Sequence, residues 1–133
     1  MKRKGVTLIE TIISLMILTV IIILLTTQVM DYSINLYTRI TKEKLSRVSY
    51  CIMNELKYNY TKENILEQSN SKKIELKNYD DILDDLKYKD LLELDRGDGI
   101  IISFNDGDNE SLNIKISIYE EGFIEEREFI KWR

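Results

Sequence analysis

One ionisable side chain, Glu10, stands inside the apolar stretch that runs from Val6 to Thr27. A carboxylate within a membrane segment costs about 2.5–3.5 kcal/mol on insertion scales. A plain membrane anchor has no use for such a group, whereas a nearby cation offsets its cost. Glu10 is therefore the first candidate for a functional residue.

The chain lacks the residue types on which several common catalytic and metal sites depend. It contains no His and a single Cys, Cys51. This composition excludes Ser-His-Asp and Cys-His catalysis, and it excludes zinc sites built from several Cys and His. A single Cys cannot form an intramolecular disulfide. We interpret Cys51 as a buried small apolar residue on a helix, with an accidental exposed thiol as the alternative. We predict that the protein is not an enzyme and that it has no cofactor.

Two groups of carboxylates near the C-terminus have ordinary explanations. Asp106, Asp108 and Glu110 alternate in a loop, as ligands of a hard cation such as Ca²⁺ do, but the full EF-hand pattern is missing. Asp, Asn and Gly are also usual hairpin residues, so this loop is only a weak calcium candidate and we predict no metal site. A second group, which we interpret as a solvated strand edge, consists of Glu125, Glu126 and Glu128.

The balance of charge bears on the class of partner. Lys and Arg number 19 against 23 Asp and Glu, which gives a formal net charge of −4. Proteins that bind nucleic acid through its phosphates carry basic surfaces instead. We therefore expect no nucleic-acid partner.

The stretch from Val6 to Thr27 is long enough to cross a membrane. About 20 helical residues rise about 30 Å, the thickness of the hydrocarbon core. Three cations precede it, Lys2, Arg3 and Lys4, so the positive-inside rule places the N-terminus in the cytoplasm and the C-terminus outside. No small-x-small cleavage site follows the stretch, which disfavours a secretory signal peptide. An uncleaved anchor, or a leader that is cut before the apolar run, remains.

The residues around this cut point carry a family resemblance. The run from Lys4 to Glu10, Lys-Gly-Val-Thr-Leu-Ile-Glu, closely resembles the processing site of type IV prepilins and type II secretion pseudopilins. The resemblance implies that prepilin peptidase cuts between Gly5 and Val6, that the new N-terminal residue Val6 is methylated, and that Glu10 serves assembly. The chain departs from the family in having Val6 where Phe is usual and Thr27 where many members have Pro.

The resemblance also implies partners and a location. These are other pilin subunits, contacted through the N-terminal helix, prepilin peptidase, an inner-membrane assembly platform, and the lipid bilayer before assembly. The expected role is a structural subunit of a type IV pilus-like filament, with a minor pilin preferred. A pseudopilin of a type II secretion or competence (DNA uptake) system is the alternative. The rival from another class is an uncleaved bitopic membrane anchor or sensor protein.

The pattern after Thr27 predicts that the helix continues to about Tyr60. No Gly or Pro interrupts residues 28–60, and one face carries an apolar stripe at spacings of three and four. This stripe consists of Leu45, Val48, Ile52, Leu56 and Tyr60. We therefore divide the chain into a leader at 1–5, a membrane-spanning helix half at 6–27, an amphipathic half at 28–60 and a small globular region at 61–133.

The last third of the sequence has the patterns of β-structure. We predict a three-stranded antiparallel meander from segments at 100–104, 112–118 and 123–132, with the middle one central because apolar and polar residues alternate along it. Earlier segments predict a short strand at 73–77 and a helix across 81–94 that Asp80 caps. The predicted fold class is α+β, with a long N-terminal helix packed on a small C-terminal β-meander, as in pilins.

Overall fold

A computed structural model describes residues 3–69, 72–106 and 111–132. The first helix, α1, spans Arg3–Tyr58 and is 56 residues long. The remaining elements, in chain order, are helix α2 (Lys62–Gln68), strand β1 (Lys73–Lys77), helix α3 (Ile82–Tyr88), a short 3-10 helix (Leu91–Glu93), and strands β2 (Gly99–Asp106), β3 (Leu112–Glu120) and β4 (Phe123–Lys131).

The chain divides into two compact units, Met1–Ile40 and Thr41–Arg133. The first unit contains α1 up to Ile40, and its large apolar side chains are exposed. An 18-residue window of α1 has a mean hydropathy of 2.8 and none of it is buried, so α1 is long and apolar enough to cross a membrane. The described side chains of this unit form no buried core, and an apolar surface of this kind is typical of a helix that contacts lipid or other helices.

The second unit is built around the predicted stripe of α1. Leu45, Val48, Ile52 and Leu56 are at most 1% exposed and pack against one face of an antiparallel sheet. The predicted α+β, pilin-like architecture is thus confirmed. Because α1 ends at Tyr58, Tyr60 lies just past the helix, where it is partly buried against the same core.

The sheet has four strands in the order β1-β2-β3-β4, so the prediction of a three-stranded sheet was wrong by one strand. Each neighbouring pair is antiparallel. The added strand is β1, in which Ile74 and Leu76 point into the core while the flanking residues are exposed. This alternation is visible in the sequence, but a pattern of five residues does not predict the neighbouring strand with which β1 pairs.

Two predicted local features differ from the structure. Asn105 and Asp106, which lie beyond the strand predicted at 100–104, extend β2 because they pair with Asn113 and Leu112 of β3. The helix predicted across 81–94 ends at Tyr88, and a separate 3-10 turn follows. The interruption between α3 and the 3-10 turn leaves the apolar residues of both elements facing the core. These buried residues are Ile82, Leu86, Leu91 and Leu94.

The predicted helix cap was also wrong. The residue before α3 is Asp81, and its side chain makes no capping hydrogen bond. Asp80 instead accepts a hydrogen bond from Lys44 of α1 at 2.9 Å, and Lys44 also donates to Glu120 at 2.9 Å. Although burial lowers the pKa of Lys44, these two bonds outweigh it and the pKa is raised. Lys44 therefore ties α1 to both the β1–α3 loop and the end of β3.

Candidate functional site

The candidate site lies at the start of α1. The backbone is helical from Arg3 onward, so the peptide bond between Gly5 and Val6 lies within helical backbone. Side chains are described from Thr7 onward. Glu10 follows Val6 by four residues, which is one helical turn, and both positions therefore share a face of α1.

Small hydroxyl side chains surround Glu10 on that face. Thr7, Thr11 and Ser14 line a shallow groove with Glu10, and Leu15 and Leu18 close it. The spacing of three and four residues places all of these on one side of the helix. The other large side chains of this helix segment are apolar and exposed. The side chains of Thr7, Glu10, Thr11 and Ser14 therefore form a polar stripe on an otherwise apolar surface.

The hydroxyl groups are bonded within the helix. Thr11 donates to the Leu8 carbonyl oxygen at 2.8 Å, and Ser14 donates to the Glu10 carbonyl oxygen at 2.8 Å. The same back-bonding occurs further along α1, at Thr19, Thr26, Thr27 and Ser33. These side chains thus need no outside partner, and their bonds can bend a helix slightly.

The carboxylate of Glu10 differs from these hydroxyls. Within the described ranges no cation lies at salt-bridge distance from it. The backbone nitrogen of Val6 belongs to a peptide bond in the uncut chain and carries no charge. Among the side chains described from Thr7 onward, Glu10 is thus an exposed carboxylate on an apolar helix with no counter-charge at salt-bridge distance.

The other predicted sites remain without structural support. Asp106 ends β2, but its side chain, together with Asp108 and Glu110, lies outside the described residues. Among the residues that the structure describes, no group of three His, Cys, Asp or Glu side chains could hold a metal ion. Cys51 is a free cysteine, half-buried at the margin of the core.

The three glutamates of β4 divide between the two faces of the sheet. Glu126 and Glu128 lie on either side of Lys115, with oxygen to nitrogen distances of 3.0 and 3.6 Å. Glu125 lies on the opposite face, 3.6 Å from Arg127. Since β4 is an edge strand, these carboxylates occupy a charged edge and form ion pairs there.

Sequence reasoning missed the polar contacts that join β4 to α1. Arg127 donates to the hydroxyl groups of Ser49, at 3.0 Å, and Ser46, at 3.3 Å. Lys131 donates to the carbonyl oxygens of Leu56 and Lys57. Both faces of β4 mix charged and apolar residues, so a period of two in the sequence does not reveal which face is inward.

The comparisons with known proteins bear on the first helix. Residues 1–26 match the family model of the prokaryotic N-terminal methylation motif. No curated protein and no solved structure matches the chain significantly.

That motif is the signature of prepilin-type proteins, the type IV pilins and pseudopilins. The predicted resemblance is thus confirmed for the N-terminal segment. The motif implies processing by a peptidase and assembly with other pilin subunits, and it indicates a structural protein rather than an enzyme. The apolar helix, Glu10 included, fits a pilin anchored in a membrane.

Proposed function

We propose that this chain is a structural subunit of a type IV pilus-like filament. Prepilin peptidase removes the leader at 1–5, Val6 becomes the methylated N-terminus, and subunits assemble through the first part of α1. The observation that carries this proposal is Glu10, a lone carboxylate one turn after Val6 on a helix that buries none of its apolar window.

Cleavage supplies the cation that Glu10 lacks. The new amine of Val6 stays basic after methylation and is therefore protonated near neutral pH. Two opposite unit charges about 4 Å apart attract by about 4 kcal/mol at an effective dielectric constant of 20. This attraction is comparable with the free-energy cost of inserting the carboxylate into the membrane. A Glu10–amine pair would therefore offset most of that cost at the N-terminal end of the helix.

The pair joins two subunits in this proposal. Positions 6 and 10 could also pair within one chain, and such a pair would do nothing for assembly. The amine of a neighbouring subunit offers the alternative partner, and an unpaired Glu10 in lipid favours the approach of that subunit. Because Glu10 is present, the subunit enters the filament behind another one and is not the outermost tip unit.

The finer assignment is a minor pilin in a cell membrane. Before assembly the chain is single-pass at 6–27, with its N-terminus cytoplasmic and its C-terminus extracytoplasmic, and afterwards it is extracellular in the filament. The small second unit, Val6 in place of Phe and the missing Pro at Thr27 favour the minor role. A pseudopilin of a type II secretion or competence system is the second candidate, since it uses the same motif.

The test compares two carboxylates of α1. Glu10→Gln removes the charge with little change in shape, and Asp31→Asn is the matched control on the same helix. We expect both variants to be cut at Gly5, as read from the N-terminal mass. Recovery of the Glu10 variant in sheared filaments, or in crosslinks to partner pilins, should fall sharply, whereas the Asp31 variant should be recovered normally.

Two results would contradict the proposal at different steps. Intact Met1-Lys2-Arg3-Lys4 on the mature protein would favour the uncleaved anchor or sensor. Normal incorporation of the Glu10→Gln subunit would show that the pair is intrachain or idle, and the assembly role would be abandoned.

A further inference from the structure

A cavity of about 520 Å³ lies in the second unit, where α1 ends. Its walls come from the end of α1, the connection to α2, α2 itself and the C-terminal segment. The side chains that matter here are those of Lys57, Tyr60, Lys62, Glu63, Lys131 and Trp132. The volume falls in the range of small-ligand sites, roughly 300–1,000 Å³.

The cavity carries an excess of positive charge. Three lysines line it against one carboxylate, that of Glu63. In the part of the chain that the structure describes, no carboxylate lies at salt-bridge distance from Lys57, Lys62 or Lys131, whereas Lys44 and Lys115 each have two such partners. Among the described residues, the cavity thus has more cationic than anionic side chains, in a chain whose net charge is negative.

Lys131 gives the cavity a fixed cationic wall. The residue is only 8% exposed, and its ammonium donates to the carbonyl oxygens of Leu56 at 2.7 Å and Lys57 at 2.8 Å. An ammonium group has three N–H donors, so one remains after these two bonds. Burial lowers the pKa of Lys131, and an anionic neighbour would stabilise its charged form.

We propose that this cavity binds a small oxyanion with two or more negative charges on phosphate or carboxylate groups. The ammonium groups of Lys57 and Lys62 would neutralise the bound anion, together with that of Lys131, which hydrogen bonds hold in place. The indole of Trp132 forms one side of the site. Hydrogen bonds between ammonium groups and oxyanions are among the stronger ones in proteins. The site is far along the chain from Glu10 and does not depend on the filament proposal.

The single Trp of the chain is the reporter for this site. The full-length protein in detergent micelles would be titrated with pyrophosphate and, separately, with citrate, while Trp132 fluorescence is recorded. Sodium chloride at matched ionic strength corrects for screening. We expect a saturable fluorescence change with at least one of the two probes, and the tighter probe identifies the preferred oxyanion.

Three substitutions complete the experiment. Lys57→Gln and Lys62→Gln each remove one counter-charge and should raise the Kd about tenfold, which is the size of a lost charge-assisted hydrogen bond. Neither side chain makes a salt bridge in the described structure, so the fold should persist, as circular dichroism will verify. Lys73→Gln, on the exposed side of β1, is the control and should leave the Kd unchanged.

A response that matches sodium chloride at equal ionic strength would overturn the proposal. Equal Kd values for the Lys57, Lys62 and Lys73 variants would also overturn it, because binding would then be a general charge effect. Neither result would affect the Glu10 assay, so failure of this site and failure of the filament role are distinguishable.

Discussion

The ammonium nitrogen of Lys131 lies 2.7 Å from the carbonyl oxygen of Leu56, in the last turn of α1. The last four carbonyl groups of a helix have no partner within the helix, and the helix dipole makes this end partly negative. Lys131 satisfies two of these carbonyls with one cation. The last residue of the sheet thus caps the helix that begins the chain.

We predict that Lys131→Met destabilises the second unit by about 2 kcal/mol, because hydrogen bonds to a charged group contribute about 1.5–3 kcal/mol and the buried carbonyls lose their donor. The measurement is thermal or urea unfolding of the full chain, followed by a signal of the sheet. Lys57→Met is the matched control, since Lys57 is exposed, and it should change stability by less than about 0.5 kcal/mol. Equal losses for the two variants would argue against the capping role.

A second prediction concerns the proposed cut site. A peptidase holds its scissile bond extended, and Gly has no Cβ to obstruct that conformation. Since residues around Gly5 are helical here, the segment must unwind before it is cut. Gly5→Val should leave an uncleaved precursor in the membrane, whereas Val6→Phe, which restores the residue usual in the family, should be cut normally. Normal processing of Gly5→Val on a gel would move the cut site elsewhere.

A third prediction concerns stability at alkaline pH. Burial and a 2.5 Å hydrogen bond to Asp85 raise the pKa of Tyr79 from 10.0 to about 12. The folded state therefore keeps the phenol proton where the unfolded state loses it. The contribution of Tyr79 to stability is complete below pH 10.0 and is lost as the pH rises to about 12.

The variant Tyr79→Phe tests this relationship. Its unfolding midpoint should depend less steeply on pH between 10.0 and about 12 than that of the natural chain. Tyr88→Phe is the control, because Tyr88 is 88% exposed, and its pH profile should match that of the natural chain. Parallel profiles for all three proteins would show that the Tyr79–Asp85 bond does not form in solution.

A fourth prediction concerns the hairpin between β3 and β4. Its loop residues, Glu121 and Gly122, have φ values of 46° and 85°, as a type I′ turn requires. A Cβ at Gly122 would meet no atom within 4 Å, so only the backbone opposes a side chain there. Gly122→Ala should cost about 1 kcal/mol, and Gly122→Asn should cost less because Asn tolerates this region. Urea unfolding would measure both, and a larger loss for Asn would refute the turn assignment.

The parts of the fold that the sequence predicted have strong periodic patterns. The stripe from Leu45 to Leu56 repeats every three or four residues without Gly or Pro, and β3 alternates from Leu112 to Ile118. β4 gave no such pattern, because Arg127 and Lys131 face the helix while Ile124 and Ile130 are exposed. Arg127 and Lys131 point inward because their hydrogen-bond partners lie on α1, and the sequence of β4 does not reveal those partners.

The candidate site was partly predictable for a similar reason. Glu10 is conspicuous as the single charge in an apolar run, so the sequence alone selects it. The counter-charge that we propose for Glu10 is not conspicuous in the sequence, because it would come from cleavage and from a second molecule. The Lys57–Lys62–Lys131 cavity was not predictable, since Lys131 is 74 residues from Lys57 along the chain and reaches the carbonyl oxygens of Leu56 and Lys57 through the tertiary fold.

The back-bonded hydroxyl groups of α1 affect how easily this helix changes its surroundings. Because Thr11, Ser14, Thr19 and Thr26 already bond to their own backbone, moving the helix from lipid into a bundle of helices breaks none of these bonds. The apolar side chains exchange one hydrocarbon neighbour for another, with little difference in solvation free energy. In the proposed filament, the equilibrium between lipid and the helix bundle would then depend mainly on packing and on the Glu10 carboxylate. Such a helix is suited to passing from lipid into a helix bundle and back into lipid.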